Sequence, residues 1–333
     1  MLSSPILLAT RAVLLCVCVL GATARVAANE PAWRAWAQEV RKGHPLAGQV
    51  YDVPLGKLSD PTEAPRMVLP EGIVLLGEVH DNPAHHRVRA WLIAETLKAR
   101  PKWRPAVAFE QIDADRQEAV DRFEQLDAAT RTADDLFGLV KWQESGWPPA
   151  DTYRPLVEAI VAARLPIYSG DLPRARVRSV ARSGPLQIAP EERARLQLDR
   201  PLPGPLAAAV RQELEESHCG ALPPQALGGM AVAQRYRDAH MADVLLSTAQ
   251  RHGSAILIAG NGHVRTDRGV PWHLRQRAPG KPVTAVLLVE VEDGQTEPAE
   301  YVPRDPESRP AADFVIFTPR AERGDPCGSL QKK

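Results

Sequence analysis

Two short apolar runs set the problem this chain has to solve. Ile73–Leu76 leads into Gly77-Glu78-Val79-His80, and residues 256–259 lead into Gly260-Asn261-Gly262-His263. Each run ends at a glycine and then delivers a histidine. A strand can be apolar at every position only when both of its faces are covered, which is the situation of parallel sheets layered between helices. The repetition therefore calls for a buried sheet whose strands empty onto polar loops.

Two further segments fit that plan. Residues 106–109 run into Glu110, and residues 165–168 run into Gly170-Asp171. If the four are parallel strands of one sheet, Glu78, His80, Glu110, Asp171, Asn261 and His263 gather on its carboxyl edge, where open α/β sheets bind ligands. Singly, each carboxylate reads more readily as a helix cap or a loop tie than as a site residue. Their convergence is what points to a site. Residues 283–289 read as a fifth strand and residues 313–317 as an edge strand, with a short hairpin expected around Val50 to Val53.

Helical signals fill the intervals. Trp33, Trp36 and Val40 give an amphipathic first helix. Asn82 is a cap with Pro83 at the first helical position, followed by Val88, Trp91, Leu92 and Leu97 on one face. In that helix's first turn His86 is expected to face the site and His85 the solvent. Residues 142–155, with two tryptophans and Tyr153, read as an aromatic loop before a helix over 156–163, either lining a ligand pocket or plugging the sheet edge. From residue 185 to 251 no strand pattern appears, and Tyr236, His240 and Asp243 share one face of its last helix, read as the inside of a bundle. The expected fold is α/β: a parallel-sheet core flanked by helices (29–184 and 252–320), a smaller all-helical insertion lobe (185–251) and a polar tail (321–333).

Lys+Arg and Asp+Glu both number 41, and no basic stripe suggests nucleic acid as a partner. Residues 1–28 read as a signal peptide: Arg11, an apolar stretch over 12–20, then small residues permitting cleavage after Ala24 or Ala28. The stretch is short for a membrane span, with an uncleaved anchor as the alternative to cleavage, and neither Cys16 nor Cys18 stands in a lipid-attachment context. Export across the inner membrane to the periplasm or cell envelope follows. It leaves Cys219 and Cys327, which either pair or remain one buried and one loose thiol.

Several motifs in order carry a family resemblance: Gly77 to His86, Phe109-Glu110-Gln111, Gly146-Trp147-Pro148 with Tyr153-Arg154-Pro155, Leu172-Pro173-Arg174, Ser217-His218-Cys219-Gly220, Ala233 to Ala242, and Gly260 to His263. Together they resemble the ChaN family of bacterial haem-binding proteins, in the superfamily that includes Tiki metalloproteases and erythromycin esterases. The resemblance implies haem and iron uptake, ferric haem held through a tyrosine ligand, a homodimer, and cooperation with an outer-membrane haem receptor system. It makes Tyr153 the preferred iron ligand and Tyr236 the second choice, with His86 and His240 nearby. Arg174 and Arg265, with Arg154 and Arg235, are available to the propionates. Where the family has asparagine before Leu-Pro-Arg this chain has Asp171, which adds a charge if it faces inward. The alternative the superfamily implies is a metal-dependent hydrolase in which Glu78, His80, Glu110 and His263 hold a divalent metal or activate water. No His-Glu-x-x-His signature specifies zinc.

Overall fold

The computed structural model describes residues 33–59, 67, 72–324 and 327. The expected signal peptide (residues 1–28) and the end of the expected polar tail lie outside them. Eight strands form one sheet: β1 (Val50–Asp52), β2 (Lys57–Ser59), β3 (Ile73–Leu76), β4 (Ala106–Asp113), β5 (Ile167–Asp171), β6 (Ala255–Ile258), β7 (Val283–Glu290) and β8 (Phe314–Thr318). Their order is β2-β1-β8-β7-β3-β6-β4-β5. From β8 to β5 all neighbours are parallel, and β1 pairs antiparallel with both β2 and β8. Every residue of β3 and β6 is buried, as their unbroken apolar runs require.

The edge reading of residues 313–317 is corrected. β8 pairs on both sides, with β7 in parallel and with β1 antiparallel, so the hairpin near the start of the chain covers the edge that β8 would otherwise expose. A pairing partner more than 260 positions away leaves no local trace in the strand.

Helices wrap both faces: α1 (Trp33–Val40), α2 (Pro83–Ala99), α3 (Gln117–Glu124), α4 (Ala133–Leu139), α5 (Ala150–Ala162), α6 (Arg174–Ser183), α7 (Pro190–Arg195), α8 (Gly204–Ser217), α9 (Pro224–His252), α10 (Asn261–Val264) and α11 (Gly269–Arg277). The Asn82 side chain caps α2 by accepting from the Ala84 N–H at 2.8 Å. One face of the sheet packs on α2 and α5. On the other, the second half of α9 buries Met241, Leu245 and Ala249 against Leu257, Ala285 and Val315. A third apolar cluster joins Leu172, Val180, Ile188, Leu196 and Tyr236, and so ties α6 and α7 to the first half of α9 as a small helical lobe. Arg195 and Arg277 both pair with Asp243 on the flank of that helix.

The aromatic segment differs from its expectation. α5 begins at Ala150, so Tyr153 lies on a helix and not on a loop, and it is fully buried. Pro149, with φ of −50°, and Asp151 in the first turn start the helix six residues earlier than its apolar face suggests. The expected solvent exposure of His85 is also corrected: it is enclosed, accepting from the Val79 N–H and bonding Thr318 Oγ1, both at 2.8 Å. Cys219 and Cys327 form a disulfide with Cα atoms 5.7 Å apart.

Candidate functional site

The carboxyl edge of the sheet gathers the residues that its strand ends carry. Glu78 is buried, and its Oε1 accepts from the Tyr153 hydroxyl at 2.7 Å, from Gln111 Nε2 at 2.8 Å and from His80 Nδ1 at 2.5 Å. Its Oε2 is ion-paired with the buried Arg89 guanidinium, which also donates to His86 Nδ1 at 2.6 Å. Burial alone would raise the Glu78 carboxyl, but Arg89 and the His80 hydrogen bond outweigh it and hold it at about 2. Burial and Arg89 lower His86 to about 4, and burial lowers His85 to about 3, so both are neutral imidazoles.

A second relay lies beside the first. Glu110 Oε2 accepts from the Gly260 N–H at 2.7 Å, while Oε1 meets Arg237 Nη2 at 2.6 Å and His263 Nε2 at 3.2 Å. His263 Nδ1 in turn lies 2.5 Å from Asp238 Oδ1. Burial would lower this imidazole, yet the Glu110 and Asp238 carboxylates raise it to about 9, so it is an imidazolium at neutral pH. Asp171 faces inward and accepts from Arg237 Nε at 2.7 Å, which neutralises the additional charge. Gly260 is where the two relays touch: a Cβ there would stand 2.9 Å from His80 Nε2, so any larger residue would push that ring aside. Across the opening, Trp147 lies against His80 with ring centroids 4.7 Å apart.

These relays are the floor of a cleft of about 460 Å³ between the sheet edge and helices α8 and α9. Its upper wall is apolar, from Leu202, Val210, Leu214 and Ala231, and its rim carries Arg268 and His218. Arg268 is nearly enclosed and pairs with Glu213 on α8.

The expected residues therefore divide. Glu78, His80, Glu110 and His263 converge at the floor. Tyr153 and Tyr236 do not line the cleft: the hydroxyl of Tyr153 donates to Glu78, and that of Tyr236 donates to Glu192 at 2.8 Å. Burial and the neighbouring carboxylate push both phenols up, away from phenolate. His86 is enclosed and donates from Nε2 to the His80 carbonyl at 3.0 Å, while His240 sits in the lobe, lowered by burial. Arg174 lies over Trp147 outside the cleft, Arg265 is tied to Asp267, and Arg154 to Asp134 and Asp151. Only Arg235, of the four arginines named from sequence, reaches the wall. The residues missed are Arg89, Gln111, Arg237, Asp238 and Arg268. Arg89 follows His86 by three on α2, a spacing that puts both on one helix face and was the available signal.

A parallel α/β sheet whose carboxyl edge carries paired carboxylate–histidine relays under a helical lobe defines the class of protein. The chain belongs to the haem-binding uptake family of the Tiki superfamily, ChaN, whose sequence model matches residues 66–274. Among solved structures it is similar to one described as cofacial heme binding to ChaN of Campylobacter jejuni, at 20% identity over 80% of this chain and 95% of that one, with a TM-score of 0.60. Looser likenesses are the type III effector HopBA1, 12% identical over 75% of this chain and 88% of that one (TM-score 0.41), and a mutant erythromycin esterase EreC in its open conformation, 15% identical over 80% of each chain (TM-score 0.36). No curated protein matches the chain.

Proposed function

We propose that the protein captures ferric haem as cargo in the cleft under the helical lobe, as an exported component of haem uptake that works as a homodimer. The carrying observation is the make-up of the cleft. A porphyrin needs an apolar wall and its propionates need cations. Leu202, Val210, Leu214 and Ala231 supply the wall, and Arg268 lines the same cleft, paired with the half-exposed Glu213 carboxylate and, at 3.5 Å, with Asp267. The residues fit the ligand that the family name describes.

Two features support the finer parts of this reading. The Cys219–Cys327 disulfide suits an oxidising compartment and hence export. A second copy closing over the cleft would remove haem from water, which motivates the dimer. A tyrosine ligand would require Tyr153 to leave Glu78, or Tyr236 to leave Glu192, before either oxygen could reach iron. The hydrolytic alternative draws on the floor alone. There every carboxylate is already bonded to arginine or histidine, and among the described residues no group of three His, Cys, Asp or Glu side chains is placed to hold a metal ion.

The test is titration of the mature protein with hemin, followed by absorption and size-exclusion chromatography. The expected result is a saturable Soret band and a shift to dimer on loading. Absence of any saturable band overturns the proposal.

A further inference from the structure

We propose that the C-terminal tail is a redox-operated strap: it holds α8 down as the outer wall of the cleft and releases it when a dithiol reduces the Cys219–Cys327 bond. The inference concerns access to the cleft, and only its hemin readout rests on the haem-capture reading above.

α8 is lightly held for a helix of 14 residues. Leu206, in its first turn, is its one buried residue, and the side chains that follow on that face, Val210, Glu213 and Leu214, line the cleft. The segments that join it to the chain are turn-like, with Pro201-Leu202-Pro203 before it and Gly220, at a φ of 66°, after it. The Glu213–Arg268 ion pair ties the middle of the helix, but a pair with one half-exposed member contributes little. The far end is held covalently, because Cys219 lies just past the helix and is bonded to Cys327.

The other end of the strap is anchored on the sheet edge. Arg323 donates from Nε and Nη2 to Asp81 at 2.8 and 2.7 Å, and from Nη1 and Nη2 to Glu290 at 2.6 Å each. The Ala321 N–H donates to the same Glu290 at 3.1 Å, and Asn82 Nδ2 donates to the Pro319 carbonyl at 3.0 Å. Asp81 and Asn82 directly follow His80, and Glu290 ends β7, so the tail is fixed beside the cleft floor. The chain from Arg323 to Cys327 spans at most about 14 Å when fully extended. While the disulfide is intact, that length limits how far the end of α8 rises from the sheet edge. Reduction removes the limit and leaves the Arg323 anchor in place.

The chemistry is thiol–disulfide exchange. Both cysteines are partly exposed, so an incoming thiolate has access. It attacks one sulfur, forms a mixed disulfide and expels the other cysteine as a thiolate, which takes up a proton. The second thiol of the reagent then displaces the first cysteine. Two electrons pass to the protein, the dithiol leaves as its own disulfide, and two protein thiols remain. In an oxidising compartment the strap stays closed until such a dithiol reaches it.

The experiment is amide hydrogen exchange of the mature chain before and after dithiothreitol, with full reduction verified by alkylation, and of the Cys219→Ser, Cys327→Ser double variant. On reduction, exchange over residues 204–217 should speed up at least about tenfold while β3 and β6 keep their protection. The double variant should match the reduced wild type and ignore dithiothreitol. Arg323→Ala frees the sheet end of the strap with the disulfide intact, and should speed up α8 exchange by a smaller factor. In hemin-loaded protein the same treatments should raise the hemin dissociation rate. Unchanged exchange in α8 after full reduction overturns the proposal. Equal loss of protection in α8, β3 and β6 also overturns it, since the disulfide would then be a staple of the whole fold. If α8 loosens and hemin dissociation stays the same, the strap stands and haem capture under α8 falls.

Discussion

Histidines at the floor of the cleft and the histidine at its rim face opposite surroundings. At the floor, His80 and His263 each hold a carboxylate, and those carboxylates are themselves held by Arg89 and Arg237. Glu78 and Glu110 are almost completely buried and accept at least three hydrogen bonds each. At the rim, His218 bonds the Leu214 carbonyl through Nδ1, while Arg268 pairs with the half-exposed Glu213 and more loosely with Asp267. A buried network of paired charges specifies structure, since a charge taken from it leaves its partner stranded in low dielectric. A partly satisfied rim is free to spend its valences on a ligand. The floor should thus respond to substitution in stability, and the rim in affinity.

The sharpest way to break this division is Glu78→Gln. It leaves the Arg89 charge buried without its counter-ion, beside two further guanidinium nitrogens that already lack partners. We expect a loss of about 3–5 kcal/mol in denaturant unfolding, with hemin affinity of the remaining folded protein unchanged. A variant that keeps its stability and loses hemin would place haem at the floor.

The pH dependence of stability makes a second test. His263 is raised from 6.5 to about 9 in the fold, so its contribution is complete below pH 6.5 and is lost as pH rises through about 9, a change of about 3 kcal/mol. His85 and His86 are lowered to about 3 and about 4, so theirs is complete above pH 6.5 and drains away as pH falls below it. Stability should peak between these limbs, in the region of pH 6.5. Thermal unfolding from about pH 5 to about pH 9.5 should show both limbs, and His263→Gln should flatten the alkaline one. An alkaline limb that survives His263→Gln would mean that another group controls it.

How far these regions could be read from sequence differs for the same reason that their energetics differ. The sheet was legible because β3 and β6 are apolar at every position, and the floor followed because Glu78, His80, Glu110 and His263 come directly off strand ends. What escaped depends on distant chain. His85 is buried by a bond to Thr318, 233 positions away, and β8 became an inner strand because β1 came back to pair with it. Tyr153 reads as loop from sequence because Pro155, inside α5, is ordinarily a helix breaker. Arg237 and Asp238 are adjacent polar residues on a long helix, with nothing local to say that they reach Glu110 and His263.

The smallest expected effect falls on Arg268. Burial lowers its guanidinium to about 10, which leaves it charged at neutral pH. Of its partners, Glu213 has a side chain 46% exposed and Asp267 keeps its two bonds from Arg265, so removing the cation strands neither carboxylate. Arg268→Ala should therefore change stability by no more than about 1 kcal/mol. A haem propionate arriving at the rim exchanges places with Glu213 on the guanidinium, a charge-assisted contact whose loss should raise the hemin dissociation constant about tenfold. Arg268→Lys should recover part of that affinity through its charge but not the two-pronged geometry. The measurement is hemin titration of both variants at two salt concentrations, since a rim contact is screened and a floor contact is not. If Arg268→Ala instead destabilises the fold by several kcal/mol and binds hemin as the wild type does, Arg268 belongs to the floor's network and the propionates lie elsewhere.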